Sequence, residues 1–289
     1  MAEPELALDP IFLLGAGRCG STFQQVRLCE TGNVWIWGEH GGVLAGLFRW
    51  GGEAANNRQL TKYVYPREPV SSAQEIETLQ HDGRGMAWMN GFRRADLMAA
   101  QRALVLELFA KRLPPGKTRW GFKEIRYGPA DRVPLNLLRM FPAGRIVHTV
   151  RAPFASIESA IVAWELPTVV ALVEQNDQTG LDALYLKHLD RWNAITGYLL
   201  DLQERWPRKV RTSRIEHYED ERRELFAFLS LEEPTGSTGT RIFSKADTAS
   251  GYAERGAAPT AAGRRRRAGR LPPCPAQMRR ARPFGSGEL

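Results

Sequence analysis

The sequence lacks any apolar run of the roughly 18 or more residues that a bilayer-crossing helix takes, so no membrane span is expected. No secretory leader is expected either. MAEPELALDPIFLLGAG begins with acidic residues where basic ones are needed, and IFLL is too short for a leader's apolar core. A cytoplasmic protein is the expectation. Cysteine is scarce: Cys19, Cys29 and Cys274 are odd in number and no two form a CxxC pair, which argues against a disulfide framework and against a zinc site. No other metal-ligand cluster is visible, so no metal is expected. Acidic residues nearly vanish between 264 and 289, where eight arginines face one glutamate. That segment carries seven of the eight net positive charges and leaves the body close to neutral. The basicity therefore gives no general case for nucleic-acid binding, which would rest on the tail alone.

What is present is enough chain, 289 residues, for one large α/β domain with a real core. Ile11–Leu14, bounded by Pro10 and Gly15, reads as a buried strand feeding a glycine-rich turn, with a helix over 23–29 and a second strand in NVWIW, 33–37. Residues 41–95 are rich in Gly, Asn, Trp and Arg with weak periodicity and read as loops and short helices. Strong helix formers fill 95–112 before Pro114 and Pro115. TRWGFKEI and RIVHTV (145–150) read as strands, 181–203 as a long amphipathic helix, 210–215 as a strand and 221–231 as a helix. This order predicts an α/β fold with a P-loop-like central parallel sheet flanked by helices, occupying 1–232. From 233 to 289 branched and aromatic residues thin out, and a disordered Arg/Gly/Pro-rich tail is expected. A natural tail and a shifted reading frame both fit that composition.

The turn Gly15-Ala16-Gly17-Arg18-Cys19-Gly20-Ser21-Thr22 fits two phosphate-binding spacings. As G-x-x-x-x-G it resembles a Walker loop, but Ser21 stands at the lysine position that serves a triphosphate, and no acidic residue ends RIVHTV, which argues against NTP hydrolysis. As G-x-G-x-x-G it matches a dinucleotide fingerprint, with Glu39 about 20 residues on as the ribose acceptor. An NAD(P)- or FAD-dependent oxidoreductase is therefore an alternative. Three further segments carry candidate groups. HTVRAPFASIESAI puts Arg151 at a strand end with Ser156 and Ser159 beyond it, a grip for phosphate. WGFKEIRYG puts Lys123 and Arg126 just after a strand, and WGEH offers Glu39 and His40 as bases. Taken singly, each also fits an ordinary capped helix, charge cluster or turn.

Together these segments resemble the sulfotransferases that use 3′-phosphoadenosine 5′-phosphosulfate (PAPS), with the tyrosylprotein-type and bacterial motif set, over about 12–231. LLGAGRCGSTF is similar to the family's 5′-phosphosulfate loop, VRAPFASIESA to its 3′-phosphate motif, FKEIRY to its K-[DE] segment and RIEHYEDE to its R-x-x-x-Y-E-D lead-in. The resemblance implies PAPS as co-substrate and no metal. Gly17, Arg18, Cys19, Gly20, Ser21 and Thr22 would hold the 5′-phosphosulfate, and Arg151 and Ser159 the 3′-phosphate, with Tyr218 also at the nucleotide. Glu39 would be the base, with His40 as its substitute, and Lys123 and Arg18 would neutralise the transferring group. The family's C-terminal basic loop would fall near Ser244 and Lys245, where the match dissolves, so an inactive relative is a second alternative. The acceptor, a small molecule or a glycan, is not specified: carbohydrate, lipid, phenol and peptide remain open, and Trp35, Trp37, Trp50 and Trp88 offer ring surfaces. The sequence does not set the oligomeric state.

Overall fold

The computed structural model describes residues 9–58, 60 and 94–234. The chain divides into two units, Met1–Ser237 and Thr238–Leu289, and only the first contains described residues. The expected tail from 233, Trp88, Ser244, Lys245 and Cys274 therefore lie outside them, apart from Glu233 and Pro234.

Five strands form one sheet: β1 (Ile11–Leu14), β2 (Val34–Trp37), β3 (Arg119–Glu124), β4 (Arg145–Val150) and β5 (Val210–Arg214). Their order is β2-β3-β1-β4-β5, and all four pairings are parallel. The expected parallel sheet is borne out. β1 lies in the middle and is covered on both faces, which is why its sequence, IFLL, does not alternate. Phe12 and Leu14 enter one core with Trp120, Phe122 and Ile146. Ile11 and Leu13 enter the other with Val34, Ile36 and Val147.

Helices close both faces. α1 (Ser21–Cys29) and α8 (Tyr218–Leu229) bring Leu28, Leu225, Phe226 and Leu229 to the second core. α2 (Leu44–Asn56), α3 (Arg94–Phe109), α4 (Val133–Met140) and α7 (Gln178–Arg205) bring Leu44, Phe48, Val105, Leu137, Ile195 and Leu199 to the first. α2, α3, α4, α7 and α8 each place buried apolar residues three or four apart, the spacing that lines one helical face. α2 is a continuous 13-residue helix where loops and short helices were expected. Its buried positions Leu44, Phe48, Gly51 and Ala54 keep helical spacing, and Gly51 admits the Gln101 side chain, whose Nε2 donates to the Leu47 carbonyl at 2.8 Å. α5 (Pro153–Trp164) and α6 (Leu166–Glu174) follow β4 and bend against each other by 87°. Among the described residues no single helix is long and apolar enough to cross a membrane.

Candidate active site

Because every strand runs the same way, every strand's carboxyl end lies at one edge. The chain builds β2 and β3 to one side of β1 and β4 and β5 to the other, so the crevice of the reversal opens above β1 and β4. The glycine turn occupies that crevice. A Cβ on Gly15 would stand 2.3 Å from the Thr149 carbonyl oxygen, so only glycine lets β1 leave the sheet so close to β4. Gly20 has φ +87°, and a Cβ there would meet Ile215 Cγ1 at 2.7 Å. Arg18 is left-handed too, at φ 63°.

α1 starts at Ser21 without a side-chain cap and without an acidic residue in its first turn. Its first N–H groups and the positive end of its dipole therefore face the turn, the usual physical basis of anion binding at a helix start. Buried bonds fix this helix start to the strand ends: Gln24 Nε2 donates to Ser213 Oγ at 2.5 Å, and Thr149 Oγ1 donates to Gln24 Oε1 at 2.6 Å. Cys19 is wholly buried in the loop, and desolvation pushes its thiol up to about 11, so it stays protonated and packs rather than reacts.

Lys123 arrives from β3. Its Nζ donates to Thr22 Oγ1 at 3.1 Å and to Glu39 Oε1 at 2.8 Å, placing an ammonium at the start of α1 although Ser21 holds the Walker lysine position. Arg126 Nη1 donates to Glu39 Oε2 at 3.1 Å, so both Glu39 oxygens face cations.

Glu124 is the residue that sequence reasoning passed over. Its carboxylate is fully buried and accepts four bonds: from the His40 and Gly42 N–H groups at 3.2 and 2.8 Å, from the Ile125 N–H at 2.9 Å and from Arg126 Nη1 at 2.6 Å. Burial pushes its pKa up, but the bonds from Gly42, Arg126 and Ile125 outweigh it and hold the group below its usual value. Glu124 thus shapes the turn that presents Glu39. The signal was available in the adjacent K-E pair at the end of an apolar strand, where an unpaired buried carboxylate is too costly to persist. His40 lies beneath this turn among Phe109, Phe122 and Tyr127, and burial lowers its pKa against the pull of Glu124.

On the β4 side, Arg151 is half-buried at the strand end and has no ion-pair partner among the described residues. The next N–H, of Ala152, donates to Glu216 Oε1 at 2.8 Å. Ser159 on α5 accepts from Arg18 Nε at 3.0 Å, and buried Ser156 donates to the Gly17 carbonyl at 3.2 Å. The structure therefore brings Arg18 and Ser159 together, and Glu39, Thr22 and Lys123 together. Tyr218 is not among them. It sits in the second core, edge-on to Phe23 with ring centroids 4.9 Å apart, and its hydroxyl is pushed up to about 12 by burial. Trp35 and Trp37 pack edge to face, and Trp37 Nε1 donates to the Phe109 carbonyl at 2.7 Å, whereas Trp50 is exposed on α2.

The dinucleotide reading of Glu39 meets an obstacle in the sheet. A Rossmann ribose carboxylate sits on a second strand next to the first, but here β3 lies between β1 and β2. Glu39 is displaced by one strand and engaged with Lys123 and Arg126.

The parallel sheet, the glycine turn at its reversal and the cations around that turn define a P-loop-like α/β protein. In structure the chain is similar to a sulfotransferase from Alicyclobacillus acidocaldarius, with TM-score 0.43 and 14% identity over 86% of this chain and 92% of that one. It is similar also to the sulfotransferase domain of the Synechococcus PCC 7002 olefin synthase, with TM-score 0.41 and 17% identity over 84% of both chains. A sulfotransferase from Mycobacterium avium gives TM-score 0.42 and 16% identity over 79% of this chain and 65% of that one. No family model and no curated protein matches the sequence.

Proposed function

We propose that the protein is a sulfotransferase that takes a sulfuryl group from PAPS and passes it to a hydroxyl or amine. The observation that carries this reading is the Lys123 ammonium bridging Thr22, at the start of the anion-facing helix, and the Glu39 carboxylate. A cation and a base side by side at an anion loop suit transfer of an anionic group to a protonated nucleophile. The loop N–H groups from Gly17 to Thr22 and the hydroxyls of Ser21 and Thr22 hold the 5′-phosphosulfate. Arg151, which lacks an acidic partner among the described residues, and Ser159 hold the 3′-phosphate. The acceptor heteroatom forms a bond to sulfur as the bridging S–O bond breaks, and its proton passes to Glu39.

Glu39 must first be freed, since both its oxygens are paired. The bound sulfuryl group competes for Lys123, and that competition releases one carboxylate oxygen when donor is present. Lys123 and Arg18 then stand by the charge that spreads over the equatorial oxygens, where positioned cations lower the barrier most. His40, buried under the turn, is the less accessible base.

Calorimetric titration with 3′-phosphoadenosine 5′-phosphate, beside NADH and ATP, tests the reading. Binding of the 3′-phosphorylated nucleotide is expected, weakened about tenfold or more by Arg151→Ala, as befits loss of a charge-assisted pair. Failure of that nucleotide to bind, or binding of NADH in its place, refutes it.

A further inference from the structure

We propose, building on the sulfotransferase reading, that Glu216 is a specificity-determining residue of the nucleotide site. Its carboxylate is a built-in rival of the 3′-phosphate, which must push it aside to reach the start of α5.

The contact lies where Arg151 and Ser159 take the 3′-phosphate in that reading. Arg151 follows β4, and the next peptide N–H, of Ala152, donates to Glu216 Oε1 at 2.8 Å. α5 begins at Pro153, and no side chain of its own N-cap closes that end. Proline has no N–H, so this helix start offers one donor fewer and the Ala152 N–H counts for more. The positive end of the helix dipole favours an anion there. The chain supplies one from a different element.

Two features mark Glu216 as a rival rather than an ordinary partner. The first is that it leaves Arg151 alone. A carboxylate kept to neutralise that arginine would pair with it, yet neither residue has an ion-pair partner among the described residues. Glu216 covers the donor beside the cation and leaves the cation open to phosphate. The second is that it is fixed at the backbone and loose at the side chain. Glu216 sits in the one-turn 3₁₀ helix Ile215–His217, between β5 and α8. Ile215 is seated on the glycine loop, where a Cβ on Gly20 would stand 2.7 Å from its Cγ1, and Tyr218 is buried in the second core. Glu216 itself is exposed, and the bond to Ala152 is its only side-chain hydrogen bond among the described residues. The carboxylate can turn to water while the short helix stays in place.

A 3′-phosphate brings roughly two negative charges beside that carboxylate. Like charges a few ångströms apart at an exposed site oppose each other by an amount worth about three- to tenfold in affinity. Donor and product share this phosphate, so the rivalry weakens both and favours release of the product after transfer.

The test is calorimetry of the full chain with 3′-phosphoadenosine 5′-phosphate, with adenosine 5′-phosphate as the comparison that lacks the 3′-phosphate. Glu216→Gln keeps an oxygen for the Ala152 N–H and removes the charge. It is expected to bind the 3′-phosphorylated nucleotide about three- to tenfold more tightly. The gain should shrink in about 1 M salt, where charges are screened within roughly 3 Å. Glu216→Ala, which also frees the N–H, should gain at least as much, and neither variant should alter the response to adenosine 5′-phosphate. Equal affinity in all three proteins makes the contact a plain helix cap, and weaker binding by both variants makes Glu216 a ligand of the nucleotide; either result overturns the proposal. So does an equal gain for adenosine 5′-phosphate, which places the effect of the charge elsewhere in the site. If none of the three proteins binds the 3′-phosphorylated nucleotide, the sulfotransferase reading itself fails, whereas binding by the parent without an effect of the variants removes the rival alone.

Discussion

Replacing Glu124 by glutamine keeps the side chain's size and removes its charge. The native carboxylate takes two donors on each oxygen: Ile125 N–H and Arg126 on Oε1, His40 N–H and Gly42 N–H on Oε2. A glutamine oxygen can serve one such pair, but its NH₂ then points hydrogens at the other two donors. Two N–H groups are left buried without acceptors, each costing roughly 1–3 kcal/mol, and Arg126 loses a charged partner. A loss of about 3 kcal/mol is expected, near the lower edge for breaking a buried charged pair. For a chain of this size that corresponds to a fall in Tm of roughly 6–12 °C. Thermal unfolding by circular dichroism, paired with urea denaturation at neutral pH, reads both quantities. A variant within about 0.5 kcal/mol of the parent would refute the claim that Glu124 organises the turn, because that is the range of substitutions that touch nothing.

Gly20→Ala forces a side chain into a left-handed conformation and against Ile215 Cγ1. It should cost at least about 2 kcal/mol in urea denaturation and weaken nucleotide binding, and parent-like behaviour in both would contradict the loop geometry. Glu39→Ala should lower kcat by roughly 10²–10⁴-fold with little change in nucleotide affinity; unaltered turnover would remove Glu39 as base. His148, buried in β4 with Nδ1 3.1 Å from Thr212 Oγ1, is pushed down to about 4 by burial. Its folded pKa lies below the unfolded one, so its share of stability is present at neutral pH and drains away as pH falls below about 6.5. Between pH 7.5 and 5 that amounts to about 2 kcal/mol, and His148→Phe should flatten this part of the urea-midpoint profile; an unchanged profile would show that the ring is not held neutral.

Much of the sheet was legible because parallel, doubly covered strands announce themselves. IFLL is apolar throughout and RIVHTV is rich in β-branched residues, and both are strands buried on consecutive positions. Strand ends also marked Lys123 and Arg151 as candidates, because ligands in such sheets gather at the carboxyl edge. α2 was obscured by Gly46, Gly51 and Gly52, whose low helix propensity masks the spacing of Leu44, Phe48 and Ala54. α6 has apolar β-branched residues but buries none of its side chains, so no one-sided pattern marks it as a helix. Pairings across the chain were illegible for a different reason. Arg18 with Ser159 spans 141 positions and Gln24 with Ser213 spans 189, and only the fold specifies such neighbours. Tyr218, a candidate from its motif position, has its ring packed in the core against Phe23, a contact its motif does not announce.

The uniform direction of the sheet also divides the molecule into a working edge and a silent one. The amino ends of the strands, at Pro10, Asn33, Thr118, Gly144 and Lys209, are tied by their own backbone bonds, such as Thr118 N–H to the Asn33 carbonyl at 2.9 Å and Ile146 N–H to the Lys209 carbonyl at 2.8 Å. None of the charged groups of the crevice comes from that edge. Surface turns there, such as Pro114–Lys117, are accordingly the places to graft a purification handle, a fluorophore or a fused partner while leaving the crevice untouched. A reporter carried at such a turn would track the protein's fate without entering its chemistry.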